Sequence, residues 1–249
     1  MSSEPSPSPA PEVPAVAARL FPEDRLPLVE EYAARLAADG VVRGLIGPRE
    51  VPRLWDRHLL NCALLGDLIP RGATVADVGS GAGLPGVVLV LARPDLTVTL
   101  VEPLLRRTVF LEEIRSDLGL DGLEVHRGRA DSLHGVRTFD VVTSRAVAAL
   151  PKLLAWSMPL VAPFGALLAM KGESVSDEIV EARSTLTAMG CAEPSVHVLG
   201  EGLLESTTTA VRVAWADPSR VDWRSAVPPE PRARQGGSQR RKGKQKRRR

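Results

Sequence analysis

Short apolar segments alternate with helix-like segments along most of the chain, in the order of repeated strand–helix units. In one helical segment, Leu104, Leu111, Ile114 and Leu118 share a face. After a first strand that starts near Val75, the predicted strands are 97–101, 123–127, 139–143, 165–170, 195–199 and 207–215, and two further predicted helices are 149–157 and 176–188. This order predicts the α/β class, with a mostly parallel, doubly wound sheet and a closing hairpin that adds an antiparallel strand at its edge.

Two helical stretches, about 24–38 and 52–69, precede the first strand and predict an N-terminal helical extension. The beginning of the chain is rich in Pro, Ser and Ala, which predicts disorder, and the end is polar and basic. The predicted organisation is a disordered tail (1–22), one folded domain (23–216, with the extension at 23–70 and the sheet core at 71–216) and a disordered basic tail (217–249).

Charge is divided unevenly along the chain. The net charge is +2, but residues 231–249 hold ten Arg or Lys and no acid, which leaves −8 on the remainder (+2 minus 10). An acidic body with a cationic tail is typical of a catalytic domain tethered to an arm that binds nucleic acid. The alternative is a solvated tail that only raises solubility.

Other broad classes are disfavoured by composition. Cys62 and Cys191 are too few for a disulfide framework, and no metal-ligand spacing surrounds them, so we expect no metal and a reducing, cytoplasmic setting. No apolar run approaches the roughly 18 residues that a membrane span needs, and no leader segment is recognisable. We therefore expect no contact with a membrane.

The most informative segment runs from Val75 to Gly86 and reads VADVGSGAGLPG, a strand followed by four closely spaced glycines. Such glycines serve where the main chain takes positive φ or approaches a ligand closely. The last three match the dinucleotide fingerprint, but the carboxylate of Asp77 would repel a pyrophosphate and attract a cation. S-adenosylmethionine carries an ammonium and a sulfonium, so Asp77 with Gly79, Gly81 and Gly83 favours that cofactor over a nicotinamide dinucleotide. A turn without any ligand is the remaining alternative.

Further candidates follow the next predicted strands, where ligands of doubly wound sheets bind. Glu102 is placed to accept hydrogen bonds from ribose hydroxyls. Ala130 is small enough to let an adenine ring lie against the backbone, and Asp131 is placed to contact its exocyclic amine. Arg145 ends the fourth strand, beside the expected position of a methyl group, and Lys171 ends the fifth, where it is expected to meet a phosphate. For each of these residues the alternative is an ordinary structural or surface residue that contacts no ligand.

The second helix of the extension concentrates nucleic-acid-binding side chains. Arg53 and Arg57 share one helical face, and Trp55 and His58 lie in the same two turns. Cations beside aromatic rings can stack on a base and hold its phosphates, which predicts RNA contacts by Arg53, Arg57 and His58, together with Lys171. The alternative is an amphipathic helix that buries Trp55 and has a solvated basic face.

Together these segments resemble a known family. The sequences WDRHLLN (55–61), DVGSGAGLPG (77–86), SRAVA (144–148) and KG (171–172) are similar to the RsmG or GidB family of 16S ribosomal RNA guanine-N7 methyltransferases, over about residues 24–215. The resemblance implies a monomeric enzyme with a Rossmann-like class I methyltransferase fold that acts on one guanine in the decoding region of the small subunit. It implies cofactor contacts at Gly79, Leu84, Ala130, Asp131 and Arg145. Leu84 stands where an aromatic residue is frequent, Cys62 stands where serine is common, and the basic tail is not a general family feature.

The expected chemistry needs no general base. Guanine N7 has an in-plane lone pair that can attack the sulfonium methyl directly, so catalysis rests on alignment of the reacting atoms and on a suitable polar pocket. We expect Arg145 to orient cofactor and guanine. The alternatives are methylation of another RNA site, a nicotinamide-dependent oxidoreductase, and a non-catalytic module that binds ribosomes.

Overall fold

The computed structural model describes residues 11–222, and these form a seven-stranded sheet covered by helices on both faces. The strands are β1 Thr74–Val78, β2 Thr97–Val101, β3 Leu123–His126, β4 Phe139–Arg145, β5 Val161–Lys171, β6 Ser195–Leu199 and β7 Thr208–Ala214. The helices of the core are α3 Gly86–Ala92, α4 Leu105–Asp117, α5 Leu150–Ser157 and α6 Val175–Ala188. The predicted α/β class and doubly wound sheet are confirmed.

The sheet has the strand order β3-β2-β1-β4-β5-β7-β6. The first five strands along this order are parallel, whereas β7 runs antiparallel to both of its neighbours, β5 and β6. The predicted hairpin is present, but its antiparallel strand lies inside the sheet and β6 occupies the edge. The strand order reverses between β1 and β4, so a crevice opens at the carboxyl ends of these two strands.

The extension comprises α1 Leu26–Arg35, a π-helix at Leu36–Gly40, a 3₁₀ helix at Pro48–Arg53, a π-helix at Leu54–Leu59, α2 Leu60–Leu64 and a 3₁₀ helix at Leu65–Leu68. Its apolar residues share one hydrophobic core with α3, α4 and one face of the sheet, while α5 and α6 cover the other face. The hydroxyl of Tyr32 in α1 donates to the carbonyl of Ala82 at 2.7 Å. The extension is therefore attached directly to the glycine-rich loop.

The N-terminal boundary differs from the prediction of disorder through residue 22. Ala15–Arg19 form a 3₁₀ helix, and Ala17 and Phe21 are buried in the core. The indole of Trp55 donates to the carbonyl of Pro11 at 3.1 Å. The predicted disorder was wrong for residues 11–22. Their composition is typical of a solvated segment, but the side chains of Ala17 and Phe21 pack into the core beside the extension. The remaining predicted tail residues, 1–10 and 223–249, lie outside the described residues.

Candidate active site

A cavity of about 700 Å³ opens where the strand order reverses, at the carboxyl ends of the central parallel strands. It is bounded on one side by the sheet and on the other by the extension. Seven of the residues predicted to bind the cofactor line it: Gly79, Gly81, Leu84, Glu102, Ala130, Asp131 and Arg145. The topology thus brings together residues that are up to 66 positions apart in the chain.

The glycine-rich loop forms one wall of this cavity. Gly79 and Gly81 adopt φ of 76° and 58°, a region that L-residues with a side chain rarely occupy. A Cβ on Gly79 would also lie only 2.8 Å from a methyl carbon of Val147. The contact with Val147 requires glycine at position 79, and the positive φ favours it at 81; the main chain of both lines the cavity.

Gly83 and Gly86 serve packing behind the loop. A Cβ on Gly83 would meet the Tyr32 hydroxyl at 2.9 Å, and one on Gly86 would meet the Asp77 carboxylate at 2.8 Å. Neither glycine lines the cavity, so the structure does not support the predicted direct contact of Gly83 with the cofactor. The spacing of glycines revealed the loop but not which glycines face the ligand.

Asp77 is also behind the loop. Its side chain is fully buried, and its Oδ2 accepts a hydrogen bond from the Gly86 amide at 3.0 Å. Its Oδ1 has no partner among the described residues. Burial raises the pKa of Asp77 to about 7, and the Gly86 amide and the positive charge of Arg145 offset only part of this effect. The predicted direct cofactor contact is not supported, because Asp77 does not line the cavity.

The raised pKa of Asp77 makes protein stability depend on pH. A carboxyl that holds its proton more tightly when folded stabilises the fold below its unfolded pKa, and this stability is lost as pH rises through the folded pKa near 7. Relative to Asp77→Asn, the wild type should therefore lose on the order of 4 kcal/mol of unfolding free energy between about pH 4 and pH 8. Urea unfolding of both proteins across that range measures this difference. A constant difference would contradict the assignment.

Glu102 lies at the cavity wall with only 1% of its surface exposed. Its carboxylate accepts hydrogen bonds from the amides of Gly81 and Leu104, both at 3.0 Å, and from Arg107 Nη1 at 3.3 Å. A carboxylate has about four acceptor positions, so capacity remains for a ligand hydroxyl. The two amide bonds fix the carboxylate against the glycine-rich loop.

Arg145 enters the cavity from the end of β4, and the extension holds its guanidinium. One nitrogen, Nη2, donates to His58 Nδ1 at 2.6 Å and to the carbonyl of Arg57 at 3.2 Å. The other, Nη1, donates to the sulfur of Cys62 at 3.4 Å. The next residue, Ala146, adopts φ of 54°, a left-handed conformation that is uncommon for a residue with a Cβ and clusters at functional sites. The chain therefore turns sharply where Arg145 leaves the sheet.

Comparison with known proteins identifies the family. The family described as rRNA small subunit methyltransferase G, GidB, matches residues 25–207. The chain belongs to the GidB family. Accordingly it is an S-adenosylmethionine-dependent methyltransferase, as the sequence predicted, and the nicotinamide-dependent alternative is excluded.

Relatives of this GidB chain match it over nearly their full length. It is 64% identical to ribosomal RNA small subunit methyltransferase G of Nocardioides sp., over 94% of this chain and 92% of that protein. It is 51% identical to the protein of the same name from Thermobifida fusca, over 92% of this chain and 96% of the other. The similarity to both relatives thus extends well beyond the sheet core, over more than nine tenths of each chain.

Solved structures support the fold. The O-methyltransferase NcsB1 of neocarzinostatin biosynthesis, solved with S-adenosylmethionine and a naphthoic acid, has a TM-score of 0.51 at 16% identity, over 76% of this chain and 60% of its own. The B. subtilis tRNA methyltransferase TrmK has a TM-score of 0.50 at 16% identity, over 64% of this chain and 67% of its own. These similarities concern the Rossmann-like fold alone.

The residues predicted to bind RNA occupy different environments in this GidB protein. Arg53 and Arg57 are exposed on the extension, with Arg57 3.5 Å from a Glu50 oxygen. His58 is only 8% exposed and lines the cavity. Lys171 does not line the cavity. Its ammonium donates hydrogen bonds to Glu178 at 2.7 Å and to the Ala148 carbonyl at 2.8 Å. The structure therefore does not support Lys171 as an RNA contact.

The sequence reasoning missed several residues that line the GidB cavity: Leu45, Ile46, Pro103, Leu104, Arg107, Arg129 and Trp156. Arg129 stands directly before the predicted Ala130, so its position after β3 was a usable signal. Leu45 and Ile46 had no such signal, because they belong to the extension and reach the cavity only through tertiary packing.

Two negative findings apply to residues 11–222. None of the helices there combines the length and hydropathy needed to cross a membrane. Within the same part of the chain, His, Cys, Asp and Glu side chains form no group of three or more that could hold a metal ion.

Proposed function

We propose that this protein transfers the methyl group of S-adenosylmethionine to N7 of one guanine in 16S ribosomal RNA, in the decoding region of the small subunit. Family membership and the family resemblance of the sequence motifs support this substrate. The proposal includes action as a monomer in the cytoplasm, on RNA or on a ribosomal particle.

The main support for the proposed chemistry is that the imidazole of His58, beside Arg145, is hydrogen-bonded at both ring nitrogens. Both ring nitrogens of His58 are engaged, Nδ1 by Arg145 at 2.6 Å and Nε2 by Glu50 at 2.8 Å. Both oxygens of Glu102 are likewise engaged by main-chain amides. The two His58 nitrogens and the two Glu102 oxygens therefore already take part in hydrogen bonds within the protein. A nucleophile with a free lone pair, such as guanine N7, suits this site because it has no proton to remove.

The cavity suits the ribose, the charged amino-acid chain and the adenine ring of the cofactor. Glu102 is proposed to accept hydrogen bonds from the ribose hydroxyls, and the glycines at 79 and 81, which line the cavity without side chains, support close approach of the charged amino-acid chain. Leu84 provides apolar contact, while Ala130 leaves room for a flat ring beside Asp131. When bound, the cofactor supplies a sulfonium methyl. In this proposal Asp77, behind the loop, supports the glycine-rich loop through its hydrogen bond to the Gly86 amide and does not touch the cofactor.

RNA is proposed to approach from the side of the extension. Arg53 and Arg57 are exposed there, and Arg129 is exposed at the cavity mouth. These guanidinium groups suit phosphate contacts, which give affinity without sequence specificity. The basic segment 231–249 lies outside the described residues; its charge suggests a further, salt-dependent contribution to RNA affinity.

The test is transfer of labelled methyl from S-adenosylmethionine to naked 16S RNA, 30S particles and 70S ribosomes. Modified positions are then mapped by the strand cleavage that N7-methylguanine permits. We expect label at a single guanine in at least one of the three substrates. Label that resists this cleavage would overturn the N7 assignment, and no label on any substrate, with cofactor still bound, would overturn the proposed acceptor.

A further inference from the structure

A hydrogen-bonded chain connects the extension to the end of β4. The carboxylate of Glu50 lies 2.8 Å from His58 Nε2, and His58 Nδ1 lies 2.6 Å from Arg145 Nη2. Glu50 belongs to the 3₁₀ helix Pro48–Arg53, and His58 belongs to the π-helix that follows it. The contact between His58 and Arg145 joins residues 87 positions apart, so it depends on how the extension packs on the sheet.

The chemistry of these partners determines the state of the ring. A guanidinium can only donate, so His58 Nδ1 must accept and therefore carries no proton. The proton of the neutral ring is on Nε2, where it is donated to Glu50. A doubly protonated ring would direct an N–H at the guanidinium and break this contact. Only the neutral form of His58 is compatible with the observed position of Arg145.

We propose that neutral His58, itself oriented by Glu50, is a positioning residue that holds the Arg145 guanidinium in its working orientation, so that methyl transfer requires His58 to be unprotonated. The role assigned to His58 from the sequence, contact with RNA, is replaced by this one, since its ring is buried and both nitrogens are occupied. The inference rests on the proposed methyl transfer for its kinetic readout.

The groups that face His58 determine the direction of its pH response. Burial and the positive charge of Arg145 lower the pKa of His58, Glu50 raises it, and Arg57 lowers it further. Asp77 lies beyond Arg145 and interacts electrostatically with it. The lowered pKa keeps the ring neutral at neutral pH. Activity should therefore be constant there and fall as acidification protonates the ring.

Two substitutions of His58 separate its two hydrogen bonds. The oxygen of Asn lies close to the position of Nδ1, so His58→Asn retains an acceptor for Arg145, whereas the amide of Gln lies close to Nε2, so His58→Gln retains only the contact with Glu50. At saturating cofactor and RNA, we expect His58→Gln to lower kcat on the order of tenfold or more and His58→Asn to stay within about threefold of wild type. If both variants lost kcat equally while the cofactor still stabilised them against heat, His58 would act only through packing, and the proposal would be overturned.

The pH profile identifies the titrating group. Glu50→Gln keeps a hydrogen-bond acceptor but removes the negative charge that raises the pKa of His58, so the acid limb of kcat should move to lower pH. Glu30→Gln makes the same charge change at an exposed position of α1 and should leave the limb in place. In His58→Asn the limb should disappear. An acid limb that persists there, or that disappears in Asp77→Asn instead, would overturn the assignment to His58.

A spectroscopic readout is independent of catalysis. The chain has four histidines, and ¹⁵N chemical shifts of the imidazoles, assigned by loss of one signal in His58→Asn, report which ring nitrogen carries the proton. We expect His58 as the Nε2–H tautomer in wild type. The Nδ1–H tautomer would overturn the inference even if methyl transfer occurs. Absence of methyl transfer with the Nε2–H tautomer present would instead count against the proposed function.

Discussion

Arg145→Ala is expected to lower the rate of methyl transfer on the order of 10²-fold or more, and to change the free energy of unfolding by only about 1 kcal/mol. Three groups of the extension orient the guanidinium toward the cavity: the His58 ring, the Arg57 carbonyl and the Cys62 sulfur. Alignment of the reacting atoms is the main source of catalysis in a transfer that needs no base, so loss of an orienting cation affects rate more than stability. Single-turnover transfer and urea unfolding measure the two effects.

Arg145→Lys and Arg137→Ala complete this experiment. A lysine keeps the charge, but its single ammonium cannot reproduce the planar set of donors, so Arg145→Lys should remain strongly impaired. Arg137 precedes the opposite end of β4, where it pairs with Glu124 at 2.9 Å and lies 5.0 Å from the centre of the Phe139 ring. Arg137→Ala should leave turnover unchanged. Full activity in Arg145→Ala, or an unfolded protein, would contradict the role of Arg145.

Gly86→Ala is expected to destabilise the protein by about 3 kcal/mol and to abolish stabilisation by the cofactor. The new Cβ would overlap Leu100 and lie 2.8 Å from Asp77 Oδ2, in a region without free space. The Gly86 amide also donates to Asp77, so the displacement would disturb the one hydrogen bond that the buried carboxyl makes to the main chain of α3. Because α3 follows the glycine-rich loop directly, the shift is transmitted to the cavity wall.

Gly172→Ala is the matched control for that substitution. Nothing lies within 4 Å of the position of its Cβ, and its φ is not in the left-handed region. Its unfolding free energy should stay within about 0.5 kcal/mol of wild type. Thermal unfolding of both variants with and without S-adenosylmethionine distinguishes them. If Gly86→Ala matched the control in both measurements, the loop would tolerate more volume than its contacts indicate.

Local sequence patterns were sufficient for most of the fold. A strand has a side-chain period of two and a helix a period near 3.6, so the predicted segments 97–101 and 195–199 coincide with β2 and β6. Repeated strand–helix units leave few chain topologies, and from these the carboxyl-end cavity follows. Glu102 and Arg145 were found for that reason: each comes at the end of a recognisable strand, and such ends converge in space.

The assignments that the sequence could not make depend on packing between distant segments. Lys171 is the last residue of β5, as Arg145 is of β4, yet its ammonium binds Glu178 of α6 and it does not line the cavity. Asp77 lies near the carboxyl end of β1, and Glu102 directly follows β2. Both are buried, yet Asp77 bonds to the Gly86 amide of α3 and does not line the cavity.

The sequence by itself determined the strands and the helices of the sheet core, the glycine-rich loop, the chemical class of cofactor and the family. Tertiary structure alone decided that residues 11–22 dock on the extension, that β7 lies inside the sheet and that His58 binds Arg145 rather than a phosphate. The physical reason is that periodicity and backbone conformation are local properties, whereas the environment of a charged side chain depends on which distant groups packing brings within hydrogen-bonding distance.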